Sequence, residues 1–369
     1  MIISSPVHSI PPERIDRRTA REILERMPLG ELMGLAHAER LRRHPRPLVT
    51  FVFDTNPNYT NICATGCRFC AFCRRAGDTD AYTLTPEEVA ARVQHTAENG
   101  ATTVLLQGGH NPRIGLTQWL AYIRAIRAAC PRIHIHPFSP AEYCFMAQRE
   151  KCDVHEILAA VFAEGIRTIP GGGAEILTEA VRRKIAPHKA CTEDWLKVCE
   201  TAHRIGFKTT ATMMFGHVES ADDIVEHLLR LRDLQDRTGG FTSFIPWSFK
   251  PGNTPLGREI PDPAHPALYV RIIALSRLVL DNFDHIQSSW FSENAAAGQL
   301  GLLGGADDFG GILVEEHVLQ QTGHAPTASA ETVKTLIRRT GFTPAQRDSD
   351  YNVLEIFKAP EAIGLAAAE

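Results

Sequence analysis

The fold class this sequence predicts is α/β, a (β/α)8 TIM-type barrel. Three observations carry the prediction. From residue 48 onward short β-rich runs alternate with amphipathic helical stretches; most runs begin roughly 30–45 residues apart, the length of a βαβ unit; and glycines, histidines and acids gather just after the runs, where a parallel barrel assembles its chemistry. Seven or eight units favour a closed barrel. The last run is weakly patterned, so a partial barrel on a six-stranded core is the alternative.

Ahead of the barrel, residues 13–44 read as two short helices, Pro28 interrupting the pattern near the start of the second, and residues 1–47 as an N-terminal helical cap. The predicted strands are LVTFVFD (48–54), TTVLLQGG (102–109), IHIHPFS (133–139), IRTIPGGG (166–173), KTTATMMFG (208–216), FTSFIPW (241–247), HIQSSW (285–290) and GADDFGG (305–311). Helices are predicted between them over 86–100, 117–130, 155–165, 194–206 and 222–235, each with apolar residues at helical spacing. The barrel runs over 48–354. Thr332 to Gly341 reads as a further helix, a C-terminal helical extension, and 355–369, ending in EAIGLAAAE, as a frayed tail.

The 369 residues carry 39 lysines and arginines against 43 acids, a net charge of −4, so bulk charge argues against nucleic-acid binding. No apolar stretch reaches the ~18 residues of a membrane span, and the first twenty residues have prolines and charges where a signal peptide needs an apolar core. A cytoplasmic location is expected. Of nine cysteines, Cys63, Cys67, Cys70 and Cys73 fall within one short segment and the rest are scattered, which points to metal or redox chemistry in a reducing compartment rather than to a disulfide framework.

TNICATGCRFCAFCRR follows the first predicted strand and spaces Cys63, Cys67 and Cys70 as C-x3-C-x2-C. Thiolates suit iron–sulfur clusters, and three of them leave one iron of a four-iron cluster open. Two other readings exist: a buried cysteine stripe on a helix, which Gly66 and the surrounding polar residues argue against, and a zinc site closed by Cys73. With Phe69 before the last cysteine, the segment resembles the signature of the radical S-adenosylmethionine (radical SAM) superfamily. The resemblance implies a [4Fe-4S] cluster on the three cysteines and S-adenosylmethionine on the open iron. It also implies that Gly108, Gly109 and His110 stand where the superfamily has a Gly-Gly-Glu-like turn for the methionine amino group, with histidine replacing the acid, and that PGGGAE (170–175), with Gly172, Gly173 and Glu175, and GHVE (216–219) lie near the adenosine half. Glu175, Glu219 and His217 are the candidates for proton removal or for holding ribose hydroxyls. His134 and His136, on one strand face, read as buried hydrogen-bonded histidines.

Longer strings narrow the resemblance. DTNPNYTNIC, LLQGGHNP, IHIHPFSP, PGGGAEIL, TTATMMFGHVES, FIPWSFKPGNT and GFTPAQRDSDYNVL are similar to the cyclic dehypoxanthinyl futalosine synthase family of menaquinone biosynthesis, over residues 50–354. Aminofutalosine synthase and the tyrosine-using subunit of FO synthase are the sibling families. The resemblance implies abstraction of the C4′ hydrogen of dehypoxanthine futalosine by a 5′-deoxyadenosyl radical, closure onto the benzoate ring, and an electron donor such as flavodoxin or ferredoxin. Arg74, Arg75 and Arg277 are candidates for the benzoate carboxylate, a planar fork suiting bidentate recognition. Cys73 stands where the family carries an aromatic residue and is expected not to be a ligand.

Overall fold

The computed structural model describes residues 14–314, 317–324 and 329–358, and in it the predicted alternation becomes two sheets curled about one cavity. The strands are β1 (Leu48–Thr55), β2 (Thr103–Leu106), β3 (His134–Pro137), β4 (Thr168–Ile169), β5 (Lys208–Phe215), β6 (Phe241–Ser248), β7 (His285–Ile286), β8 (Asp308–Val314), β9 (Thr343–Arg347) and β10 (Val353–Ile356). One sheet has the order β10-β9-β1-β2-β3 with β8 also paired to β1; the other is β4-β5-β6-β7. All pairings among β1 to β8 are parallel. Two seams join the sheets. A parallel bridge links Gln287 to Asp308, and the rings of His134 and His136 both lie 2.7 Å from the Thr168 hydroxyl. The result is a partial TIM-type barrel.

The strands place their side chains by a period of two. Val49 and Phe51, Val104 and Leu106, Ile135, Ala211 and Met213, Phe244 and Ile286 are buried in the outer hydrophobic layer. Their neighbours Asp54, Thr103, His136, Thr210, Thr212, Ser243 and Gln287 face inward onto the cavity. A usual barrel fills its centre with branched apolar side chains. This one lines it with small and polar groups and so leaves room.

Local signals start the surrounding helices. Capping boxes pair Thr85 with Glu88, Ser139 with Glu142, Asp153 with Glu156 and Ser220 with Asp223, satisfying backbone N–H groups that the first turn leaves free. The predicted cap helices are Arg17–Arg26 and Leu29–Arg43, packed on Ala221–Thr238 and Pro266–Val279. Beneath the barrel, Arg40 donates to the Leu48 carbonyl (2.7 Å) and His44 to that of Asp284 (2.8 Å). There Asp307 is held well below the usual carboxylate range: burial raises it, but Arg277 and His285 outweigh burial. His44, His285 and Asp307 converge, yet Arg277 already neutralises the carboxylate, so the trio reads as a docking knot.

The C-terminal segment departs from the helical extension expected. Helix Ala330–Arg338 is present, but β9 then runs parallel to β1, and β10 turns back antiparallel onto β9. TPAQR was unreadable as a strand because its proline and polar residues lack alternation; it owes its conformation to the edge of β1. Residues 359–369, including EAIGLAAAE, lie outside the described residues. β9 also seals the barrel floor: Arg347 donates to both oxygens of Asp308 (2.5 and 3.0 Å) and its guanidinium lies 3.9 Å over the Tyr351 ring.

Removing one member of that buried pair should be costly. Asp308→Ala is expected to lower unfolding stability by about 3–5 kcal/mol, because Arg347 is left charged and unpaired, whereas Asp308→Leu with Arg347→Met should recover most of the loss. Urea unfolding curves give the comparison, and a loss under about 1 kcal/mol for the single variant would rule out the sealing role.

Candidate active site

The strands' C-terminal ends open onto a cavity of about 390 Å³. Cys63, Cys67 and Cys70 all line it, on the loop that follows β1. Backbone hydrogen bonds fix that loop: Cys63 N–H donates to Arg74 O (3.0 Å), Ala64 N–H to His110 O (2.9 Å), and Arg68 N–H to Ile185 O (2.8 Å). The Thr65 hydroxyl sits 3.0 Å from Cys63 Sγ and 3.6 Å from Cys67 Sγ, and His110 N–H donates to Cys63 Sγ (3.3 Å). The adjacent Cys73 thiol, with Thr65 and His110 N–H, stabilises a thiolate at Cys63 and holds it below an ordinary thiol; the same contact pushes Cys73 up. Burial pushes Cys67 up and Cys70 to about 11, so thiolates at all three positions call for a cation among them.

The spacing of the sulfurs discriminates between metals. Among the described residues no three cysteine sulfurs lie within 4.8 Å of one another. Thiolates on a single zinc, each at ~2.3 Å, stand about 3.8 Å apart. The set is too wide for one zinc ion and suits a cluster of several irons.

Gly108, Gly109 and His110 pack directly against the cysteine loop at the cavity wall. A Cβ on Gly109 would fall 2.3 Å from the Ile62 carbonyl oxygen, and one on Gly108 2.8 Å from the Tyr59 ring, so only glycine fits either place. Glu142, which sequence reasoning did not single out, holds this turn: its carboxylate accepts from Gly108 N–H (3.1 Å), Tyr59 OH (3.0 Å), Ser139 N–H (2.7 Å) and Ser139 Oγ (2.8 Å). The His110 side chain is buried with Nδ1 unpartnered among the described residues; burial, reinforced by Lys189, pulls it down to about 3 and keeps it neutral.

The stretch 171–175 forms the next wall. Gly171 N–H donates to Thr210 Oγ1 (2.8 Å), Trp195 Nε1 to Gly172 O (3.1 Å), and Gly173 and Glu175 both take positive φ, +81° and +47°. A non-glycine residue held there is strained. Glu175 accepts from Lys189 Nζ (2.8 Å), a buried ion pair that the RRKIAPHK string did not betray. Burial lowers the Lys189 ammonium, but Glu175 and Cys67 more than offset it, so the lysine stays charged beside a cysteine ligand.

Other candidates fall elsewhere. His217 and Glu219 are not among the cavity-lining residues. Glu219 accepts from Gly216 N–H (2.5 Å) and His217 N–H (2.9 Å), and the His217 ring reaches the Met214 carbonyl (2.9 Å) and Val218 N–H (2.8 Å). Burial raises Glu219, but the His217 side chain and these N–H groups bring it below its usual value; the pair closes the turn before helix Ala221–Thr238. Arg277 is buried under the barrel with Asp307, Arg74 pairs with Asp80 (2.8 Å), and Arg75 is exposed; none lines the cavity. Its cations are Lys189 and Arg347, both already paired.

The radical SAM superfamily profile matches residues 57–231, and that of the "CofH/MqnC C-terminal region" matches 238–360. A cyclic dehypoxanthine futalosine synthase of Halalkalibacterium halodurans is 37% identical over 95% of this chain and 94% of its own length. The chain belongs to the cyclic dehypoxanthine futalosine synthase family of radical SAM enzymes. Within the wider group, an FO synthase of Mycobacterium leprae is 42% identical over 82% of this chain but only 36% of its own length. Among solved structures, methylornithine synthase superposes with a TM-score of 0.71 at 16% identity, covering 91% of this chain and 96% of that one, a likeness of fold.

The cysteine loop packs against Gly109 at a distance that leaves no room for a side chain. Gly109→Ala, whose methyl would meet the Ile62 carbonyl, is expected to lower reconstituted iron content at least threefold while helical circular dichroism stays unchanged. Full iron loading would show that the glycine is not needed for the loop.

Proposed function

We propose that the protein converts dehypoxanthine futalosine to cyclic dehypoxanthine futalosine, the radical SAM cyclisation of the futalosine route to menaquinone. The observation that carries it is a three-cysteine loop opening onto the barrel cavity in a chain similar along nearly its whole length to a synthase of that name. A [4Fe-4S] cluster with S-adenosylmethionine, when bound, supplies one-electron reduction and a 5′-deoxyadenosyl radical able to take the ribose C4′ hydrogen.

The chain's residues do the rest. Cys63, Cys67 and Cys70 hold the cluster. Gly108 and Gly109 let the backbone approach the cosubstrate, and Gly172, Gly173 and the Glu175–Lys189 pair present a fixed polar edge beside Cys67. Trp247 and Phe291 offer aromatic surface to the benzoate ring, and a substrate seated inside the barrel shields its radicals from bulk water. His217 and Glu219 contribute by holding their turn. A reductant of the flavodoxin or ferredoxin class supplies the electron. The likeness to FO synthase supports a second reading, transfer of a tyrosine-derived fragment on the same scaffold.

Anaerobic reconstitution, reduction and incubation with S-adenosylmethionine and dehypoxanthine futalosine should give 5′-deoxyadenosine and a product lighter by two hydrogens, both read by mass spectrometry. Deoxyadenosine formed only with tyrosine and a flavin precursor would move the protein to the second reading. Cys67→Ala should abolish both products and bound iron, whereas Cys73→Ala should keep its iron; equal iron loss in the two would make Cys73 a ligand.

A further inference from the structure

Three carboxylates line the cavity, and two have partners: Glu142 accepts at both oxygens from its donors, and Glu175 is ion-paired to Lys189. The third is Asp54, near the end of β1. Asp54 is part-buried with surface on the cavity, and its Oδ1 is buried with no hydrogen-bond partner among the described residues. Arg347, the nearest cation, is committed to Asp308 in a two-point pair. Gly311 makes the space: a Cβ there would lie 2.4 Å from Asp54 Oδ1. An unpartnered buried carboxylate is costly to keep. It is positioned to meet something that enters the cavity.

We infer that Asp54 accepts the proton released when the substrate ring regains its aromaticity, a role that rests on the cyclase reading above. The C4′ radical adds to a ring carbon, forming the new C–C bond and leaving that carbon with one C–H bond to lose. Asp54 takes this hydrogen as a proton, the C–H electron pair returns to the ring, and the one surplus electron leaves to a one-electron acceptor of the iron–sulfur class. Burial pushes Asp54 up to about 7, with Arg347 pulling it partly back and Asp308 adding to the rise, which suits a base working near neutrality. The other titratable groups facing this floor are Tyr351, which burial pushes up, and His136, which burial holds neutral. Neither competes for the proton.

The test compares wild type with Asp54→Asn under single-turnover and steady-state conditions, following deoxyadenosine, cyclised product and pH dependence. In the variant, kcat for cyclised product should fall at least 100-fold with KM within about threefold. Deoxyadenosine should still form, now in excess over product. The wild-type rate should rise with pH through about 7, as the carboxyl ionises, and the variant should lack that inflection. The variant should melt no lower than wild type at pH 8, because it removes an ionised group that burial disfavours. Should it fail to fold, Gly311→Ala moves the carboxylate without removing it and should shift the inflection and lower kcat at least tenfold. A kcat within threefold of wild type, or a loss confined to KM, would overturn the role while leaving the cyclase reading intact. Wild-type enzyme that makes deoxyadenosine but no cyclised product would overturn both.

Discussion

The buried Arg347–Asp308 pair is the contact on which the cavity depends. A barrel lined with threonine, serine, histidine and aspartate cannot close its own centre by apolar packing, so its floor must be closed by something else. β9 brings Arg347 up beside β1, Asp308 meets it from β8, and Thr50 adds a hydrogen bond to the same carboxylate (2.6 Å). Desolvating two charges is expensive, and a lone pair in such a place contributes little net stability. What the pair provides is definition: it fixes β8 and β9 on either side of β1, and it commits to Asp308 a guanidinium whose charge also acts on Asp54.

The opposite end of the cavity is built by backbone. The cysteine loop has no regular secondary structure, yet it is clamped on several sides, by His110 after β2, by Ile185 beyond β4, and by Leu256, whose N–H donates to the Arg68 carbonyl (2.9 Å). Each clamp comes from a different βα connection. The loop's three thiols are therefore set by clamps from three parts of the fold, at a spacing wider than one ion would impose. Gly109 is needed for the same reason, since the loop's backbone occupies the place of its side chain.

The parts legible in the sequence are those set by local periodicity or by dense motif. The eight barrel strands each contain or overlap their predicted runs, because alternation and βα spacing are properties of contiguous residues. C-x3-C-x2-C was legible because few other arrangements need three thiols in one short loop. The rest depended on contacts between distant segments. Nothing in RRKIAPHK tells Lys189 to meet Glu175, and nothing in TPAQR marks a strand that takes its partner from β1 nearly 300 positions earlier. GHVE carried two meanings, a catalytic pair or a helix-start turn, and only the fold separates them. Asp54 did leave a signal: an acid ending the apolar run LVTFVFD is hard to explain as packing.

The two sequence profiles divide the cavity as they divide the chain. Residues 57–231 supply the cysteines, the Gly108–His110 turn and the Glu175–Lys189 pair, whereas 238–360 supply Trp247, Gln287, Ser289, Phe291, Arg347 and Tyr351. The first group carries the cysteine loop of the superfamily profile, and the second lines the rest of the same cavity. The chain is similar along much of its length both to a futalosine synthase and to an FO synthase, so both walls belong to the part of the chain that these likenesses cover. Asp54 belongs to neither matched region. It stands on the strand that both halves pair against, with β2 and β9 along one edge and β8 along the other, so a group placed there is held by the whole barrel rather than by a single loop. That rigidity keeps a carboxylate oxygen without a partner in place, and it makes β1 the element where the two halves meet beside the cavity.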